Sequence, residues 1–85
     1  MSSGDSVKRV LADSLQLGER VQSFAPATRL LGSLPELDSM AVITVISALE
    51  EHFGFTVNDD EISAETFETF GKLCEFVEQK LQARG

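Results

Sequence analysis

A single cysteine, Cys74, in 85 residues has no partner for an internal disulfide, and a single histidine, His52, beside it gives no ligand set for a structural metal. The first residues have no apolar stretch of signal-peptide type, and no apolar run approaches the ~20 residues of a membrane span, so the chain reads as cytoplasmic. Basic residues are scarce: seven Lys and Arg stand against fourteen Asp and Glu, for a net charge of -7. The imbalance is local. Residues 1–35 hold four basic and three acidic side chains, whereas 36–85 hold three basic and eleven acidic ones. Such an acidic surface repels phosphate backbones and anionic lipid, which sets aside nucleic acid and membranes as partners and favours basic patches on other proteins. Individually, most of these acids do no more than keep a small domain soluble. Repeats, low-complexity tracts and linkers are missing too, so 1–85 reads as one domain, and a monomer is expected. A domain this size buries only about 60 to 65 per cent of its unfolded surface, leaving no room for a deep enclosed active site.

Hydrophobic spacing is present, and it has the helical period. Residues 6–17 place Val7, Val10, Leu11 and Leu15 on one face, with Asp5 or Ser6 as N-cap and Gly18 as the stop. From 19 to 37 the spacing is irregular and interrupted by Pro26, Gly32 and Pro35, so a long connection is expected, anchored by Phe24, Leu30, Leu31, Leu34 and Leu37. The clearest helix runs over 39–53, with Val42, Val45/Ile46, Leu49 and Phe53 on one face and Gly54 as its stop. Its β-branched run 42–46 argues for a strand, but the good helix formers Ala48 to Glu51 continue the same face. Asn58, Asp59 and Asp60 offer caps for a short helix over 60–65, and a last helix over 68–82 presents Phe70, Leu73/Cys74, Val77 and Leu81. The expected fold is all-α: an antiparallel bundle of three longer helices plus one short helix, with a long first loop.

Ser39 stands out on physical grounds. It lies where a loop meets a helix N-terminus, and the amides and positive dipole end there favour a phosphate group on its hydroxyl. Asp38 can cap that helix by accepting from the amide of Met40 or Ala41, and an Asp-Ser pair before a helix is most often a cap and nothing more. Ser39 cannot be a hydrolytic nucleophile served by His52, since thirteen residues of one helix separate them by about 20 Å. The acidic run 58–61 fails as a calcium loop, with Ile62 and Ser63 at positions that require a ligand and a glycine, and reads as a loop and cap. Cys74, on an apolar face, reads as a packed thiol with no reactive role. Met40 and Ile43 lie off the core stripe beside Ser39, with the small Ser47 a turn further on. They either close the end of the bundle or form an exposed apolar patch.

The order of these elements resembles the acyl and peptidyl carrier protein family. The likeness rests on Leu30-Leu31-Gly32, on Leu37-Asp38-Ser39-Met40 opening a helix that ends Ala48-Leu49-Glu50-Glu51-His52-Phe53-Gly54, and on Phe67-Glu68-Thr69-Phe70 before the last helix. The family hallmark Asp-Ser-Leu stands here as Asp38-Ser39-Met40. The resemblance implies that a phosphopantetheinyl transferase uses coenzyme A and Mg²⁺, the ion serving the transferase, to attach 4'-phosphopantetheine to Ser39. The chain then carries acyl or aminoacyl groups as thioesters and catalyses nothing itself. It further implies that Asp38 assists the transferase and that Met40, Ile43, Ser47, Glu50 and Glu51 meet partner enzymes: an acyl- or aminoacyl-activating ligase and downstream acyltransferases or synthases. Two departures mark this chain: neutral Ala41 and Thr44 stand where fatty-acid-synthesis carriers usually have acids, and Glu36-Leu37 replaces the usual glycine before Asp-Ser. They point to a specialised carrier with its own ligase, and the string Pro35 to Met40 looks like carriers of exosortase and exopolysaccharide systems. A protein-interaction domain that uses the same face without modification is the rival reading.

Overall fold

The computed structural model describes residues 3–35 and 37–84, without the side chains of Ser3, Asp59 and Arg84. Three α-helices carry the architecture: α1 (Ser3–Leu15), α2 (Ser39–Phe53) and α3 (Phe70–Arg84), with α1 packed against both others. Short 3₁₀ helices occupy Gly18–Ser23, Asp59–Glu61 and Ala64–Phe67. The all-α bundle expected from periodicity is the one observed, and no β-strand occurs among the described residues.

α1 buries Val7, Val10, Leu11 and Leu15, as its spacing requires, but it starts three residues earlier than expected, so Asp5 and Ser6 lie inside it. It also ends sooner. Gln16 takes the left-handed conformation at φ 56°, and the Leu17 N–H donates to the Ala12 carbonyl at 3.0 Å. That pattern closes the helix two residues before Gly18, with Leu17 folded back into the core. Sequence reasoning assigned the stop to the glycine because a non-glycine residue at positive φ is uncommon.

Twenty-three residues, 16–38, link α1 to α2, and the segment is held, not loose. Val21, an anchor the irregular spacing concealed, is buried within the first 3₁₀ helix, and Leu30 and Leu37 are buried further along. Leu31 and Leu34 are half-buried, as is Phe24, whose ring packs against Phe70 at 5.7 Å between centroids. The connection is laced to the entry of α3 by backbone bonds. Leu30 and Leu31 donate to the carbonyls of Glu68 and Phe67, while Phe70 and Gly71 donate to those of Thr28 and Pro26, all at 2.8–3.0 Å. Thr69 pairs with Arg29 in this seam, and its hydroxyl accepts from the Lys72 amide, which moves the start of α3 from the expected 68 to Phe70.

The seam accounts for Gly71. A Cβ there would stand 2.8 Å from the Pro26 carbonyl oxygen, a backbone atom that cannot move without opening the seam. Helix propensity favours Gly71→Ala by about 1 kcal/mol, but forcing a methyl into a packed contact costs about 1–3 kcal/mol. The clash dominates. Gly71→Ala is expected to lower stability by up to about 2 kcal/mol, read as a fall in Tm of several degrees; a raised Tm would show that the seam yields.

α2 matches expectation at both ends. Val45, Ile46 and Leu49 are buried, Val42 and Phe53 half-buried, and Gly54 at φ 76° donates its N–H to the Glu50 carbonyl at 2.8 Å. After it, Phe55 returns to the core and stacks on Phe53, with rings nearly parallel at 5.7 Å. The short helix expected over 60–65 is realised as the two 3₁₀ turns on either side of Ile62. Glu61 in the first turn accepts from the Asn58 side-chain amide at 3.0 Å and pairs with Lys80 of α3 at 2.6 Å. The Lys80 ammonium holds the Glu61 carboxyl below the ordinary carboxylate range. α3 buries Phe70, Leu73 and Val77, with Cys74 and Leu81 at the margin. No helix of the described residues is long and apolar enough to cross a membrane.

Candidate functional site

Ser39 is placed by a reversal of burial over three residues. Leu37 is buried and its N–H donates to the Leu34 carbonyl at 3.0 Å, which draws the chain into the bundle; Asp38 and Ser39 then emerge exposed. Asp38 adopts extended backbone as the N-cap of α2, and its Oδ1 accepts from the Ala41 N–H at 2.8 Å. Of the two amides open as partners, the structure selects Ala41. The Asp38 carbonyl accepts the first intrahelical bond, from Val42 at 2.9 Å. Ser39 is therefore the first residue of α2, with its hydroxyl at the positive end of a fifteen-residue helix. Among the described residues, none hydrogen-bonds that hydroxyl.

The cap makes a separable prediction. Asn caps helices as well as Asp does, whereas Ala removes the bond to Ala41. Asp38→Asn should melt within about a degree of the native chain, and Asp38→Ala should lose about 1 kcal/mol by urea denaturation; equal losses would show that the carboxylate's charge, not its hydrogen bond, supports the helix.

At 100° per residue, Met40, Ile43, Ser47, Glu50 and Glu51 trace one stripe down α2 from Ser39. Met40 and Ile43 are the large hydrophobics the fold leaves in solvent, 72% and 60% exposed, which decides for the apolar patch over the bundle cap. Ser47 and Glu51 are exposed. Glu50 differs: it is half-buried, and its Oε2 accepts from the Val57 N–H at 2.8 Å, pinning the segment after α2. Helical spacing could place Glu50 on the stripe but could not reveal a partner seven residues away across the turn at Gly54.

The other singled-out groups lie apart. His52 is exposed in the last turn of α2, its ring edge-on to Phe53, and the length of that one helix keeps it about 20 Å from Ser39. Among the described residues, no three of His, Cys, Asp and Glu are grouped to hold a metal ion. Cys74 is half-buried in α3; burial, and then the nearby Glu78, push its thiol up to about 11. It is protonated at neutral pH and a poor nucleophile.

What the site offers is one exposed hydroxyl on a rigid helix end, with a dipole that suits a phosphodiester and no general base beside it. A long group fits there, because it would project from the bundle without displacing any packed side chain. Residues 5–77 match the family model described as the phosphopantetheine attachment site. The chain is 31% identical over 80 residues to an acyl carrier protein of Desulforapulum autotrophicum, a match covering 94% of this chain and 99% of that one. It also superposes on the solution NMR structure of a holo acyl carrier protein from Nitrosomonas europaea with a TM-score of 0.89 and 56% identity, over 96% of this chain and 99% of that one.

Proposed function

The chain belongs to the acyl carrier protein family, and from that premise we propose that Ser39 is the residue to which its 4'-phosphopantetheine is joined. As a member of that family it is a carrier and not an enzyme, and the covalent arm supplies the thiol that holds an acyl group as a thioester. The chain's own residues give that arm a fixed origin. Leu37 anchors the approach, the Asp38 cap sets the turn, and the N-terminal end of α2 stabilises the phosphodiester. The single observation that carries the assignment is the exposure of Ser39 at the first position of α2, directly after a cap that is satisfied within the chain.

In this reading residues 1–85 are one carrier domain working as a cytoplasmic monomer. Asp38 and the stripe Met40, Ile43, Ser47 and Glu51 face the phosphopantetheinyl transferase, an acyl- or aminoacyl-activating ligase and downstream acyltransferases or synthases. Glu50 lies in the same stripe, where its bond to Val57 keeps the end of α2 in register. Neutral Ala41 and Thr44 support a specialised carrier with a dedicated ligase, of the kind that serves exosortase and exopolysaccharide systems. Incubation with coenzyme A, Mg²⁺ and a broad-specificity transferase, followed by intact mass and fragmentation, tests the assignment. Gain of one phosphopantetheine on Ser39 is expected. Failure with several transferases would favour an interaction domain that uses this face unmodified.

A further inference from the structure

On the reading that Ser39 bears the arm, we infer that the cargo stays outside the bundle, which makes it a short or polar acyl group, aminoacyl groups included, and not a long alkyl chain. In the free carrier, a long chain tethered at Ser39 leaves water by entering the apolar interior, and each methylene kept outside carries its full hydrophobic cost. Entry needs room inside and a way in. The interior beside α2 is filled. Val45 and Leu49 of α2 are 0% exposed and share one buried cluster with Leu30, Phe55, Phe67 and Leu73, contributed by the segments around them. Close-packed cores accept further methylenes only by displacing the side chains already there.

The ways in are closed by packing on one flank of α2 and by charged ties on the other. α1 packs along the first. On the second, the buried Phe55 stacks on Phe53, and the Glu50 Oε2 accepts from the Val57 N–H at 2.8 Å. Four residues on, Glu61 accepts from the Asn58 side-chain amide at 3.0 Å and pairs with Lys80 at 2.6 Å. Segment 55–61 is thus fastened to α2 at its start and to α3 at its end. The side chains of Glu61 and Lys80 are only 28% and 20% exposed, so solvent screens their attraction less than it would a surface pair. An entering chain has to break these ties and then displace aromatic rings. The surface grooves offer no substitute. One of about 570 Å³, with Pro26, Phe70, Gly71 and Cys74 in its wall, contains no residue of α2. Another, of about 430 Å³, meets α2 at His52, the end remote from Ser39, and is lined by Asp5, Lys8, Arg9 and Asp13, a setting that repels an alkyl chain. A short or polar group loses little by remaining in water, and a carrier of this build suits it.

The test loads the apo chain from acetyl-coenzyme A and from octanoyl-coenzyme A with a broad-specificity transferase. Thermal melting and the rate of thioester cleavage by hydroxylamine are then compared. A chain held inside the bundle binds the folded state alone, so it raises Tm and shields the thioester. The acetyl and octanoyl forms should melt within about a degree of each other, and hydroxylamine should cleave each within about twofold of the rate for the matching acyl-coenzyme A. An octanoyl form that melts several degrees above the acetyl form, or resists hydroxylamine about tenfold more, holds its chain inside and overturns the inference while modification on Ser39 stands. A chain that is modified elsewhere or not at all removes both readings.

Discussion

Ser39→Ala is expected to abolish every gain of phosphopantetheine under conditions that convert the unaltered chain completely, while the protein remains folded. Both halves of that outcome follow from position. Ser39 is the first residue of α2 and not its cap, so no hydrogen bond that starts the helix depends on its hydroxyl; the cap is Asp38. Ala at an exposed helical position should leave stability within about 0.5 kcal/mol of the original. The hydroxyl, in contrast, has no substitute. Thr44 shares the outward side of α2 but donates its hydroxyl to the Met40 carbonyl at 3.2 Å, and Ser47 sits two turns from the helix end that favours a phosphodiester. Intact mass with fragmentation reads modification, and circular dichroism reads the fold. A phosphopantetheine found on the variant would move the attachment to another serine and withdraw the assignment.

The one free thiol bears on the same chemistry. A thioester carried on an exposed arm is open to exchange with any nearby thiolate, and thiol–thioester exchange needs the ionised form. With Cys74 half-buried and its thiol pushed up to about 11, almost none of it is ionised at neutral pH. The chain therefore offers the cargo no internal competitor. Its contribution to the pathway is a rigid anchor for a mobile arm, which raises the cargo's effective concentration at the partner's active site without chemistry of its own.

Much of this was legible in the amino-acid sequence, for identifiable reasons. α2 declares itself because one apolar face persists for fifteen residues between an Asp cap and a glycine stop, and all three signals are local. Ser39 was legible for the same reason: a hydroxyl directly after a cap has only one place to be. What stayed hidden depends on contacts between distant segments. The seam joining 26–31 to the entry of α3 is made of backbone bonds, which leave no pattern in side-chain type, and only Gly71 records it. The Lys80–Glu61 pair spans nineteen residues. Val21 hides in a 3₁₀ helix, whose period differs from the 3.6 residues of an α-helix. The end of α1 falls short of Gly18 because Gln16 adopts a conformation that residue type disfavours, with the buried Leu17 holding it there.

Leu49→Ala is the substitution expected to harm the fold most among those considered. Leu49 is 0% exposed, on the same face of α2 as the buried Val45 and Ile46, where α2 meets α1. Removing its isobutyl group loses the transfer free energy of the buried atoms and leaves a void that three short helices can close only in part, at a cost of about 2–5 kcal/mol. Folded domains hold about 0.05–0.15 kcal/mol per residue, which for this length is about 4–13 kcal/mol in total. The loss is then a large share of the whole, equivalent to at least about 10 °C in Tm. Met40, nine residues earlier on the same helix, supplies the contrast: at 72% exposure its change to Ala should leave stability almost unaltered. Urea denaturation of both variants measures the difference directly. A Leu49→Ala loss below about 1 kcal/mol would mean that the face assigned to the core does not carry it. The pair of outcomes also separates the two duties of α2. One side closes the bundle and sets stability, while the exposed first turn presents Ser39 and the outward Met40 and Ile43, and a helix of fifteen residues can do both because its 3.6-residue period turns those two side chains away from the buried Val45 and Leu49.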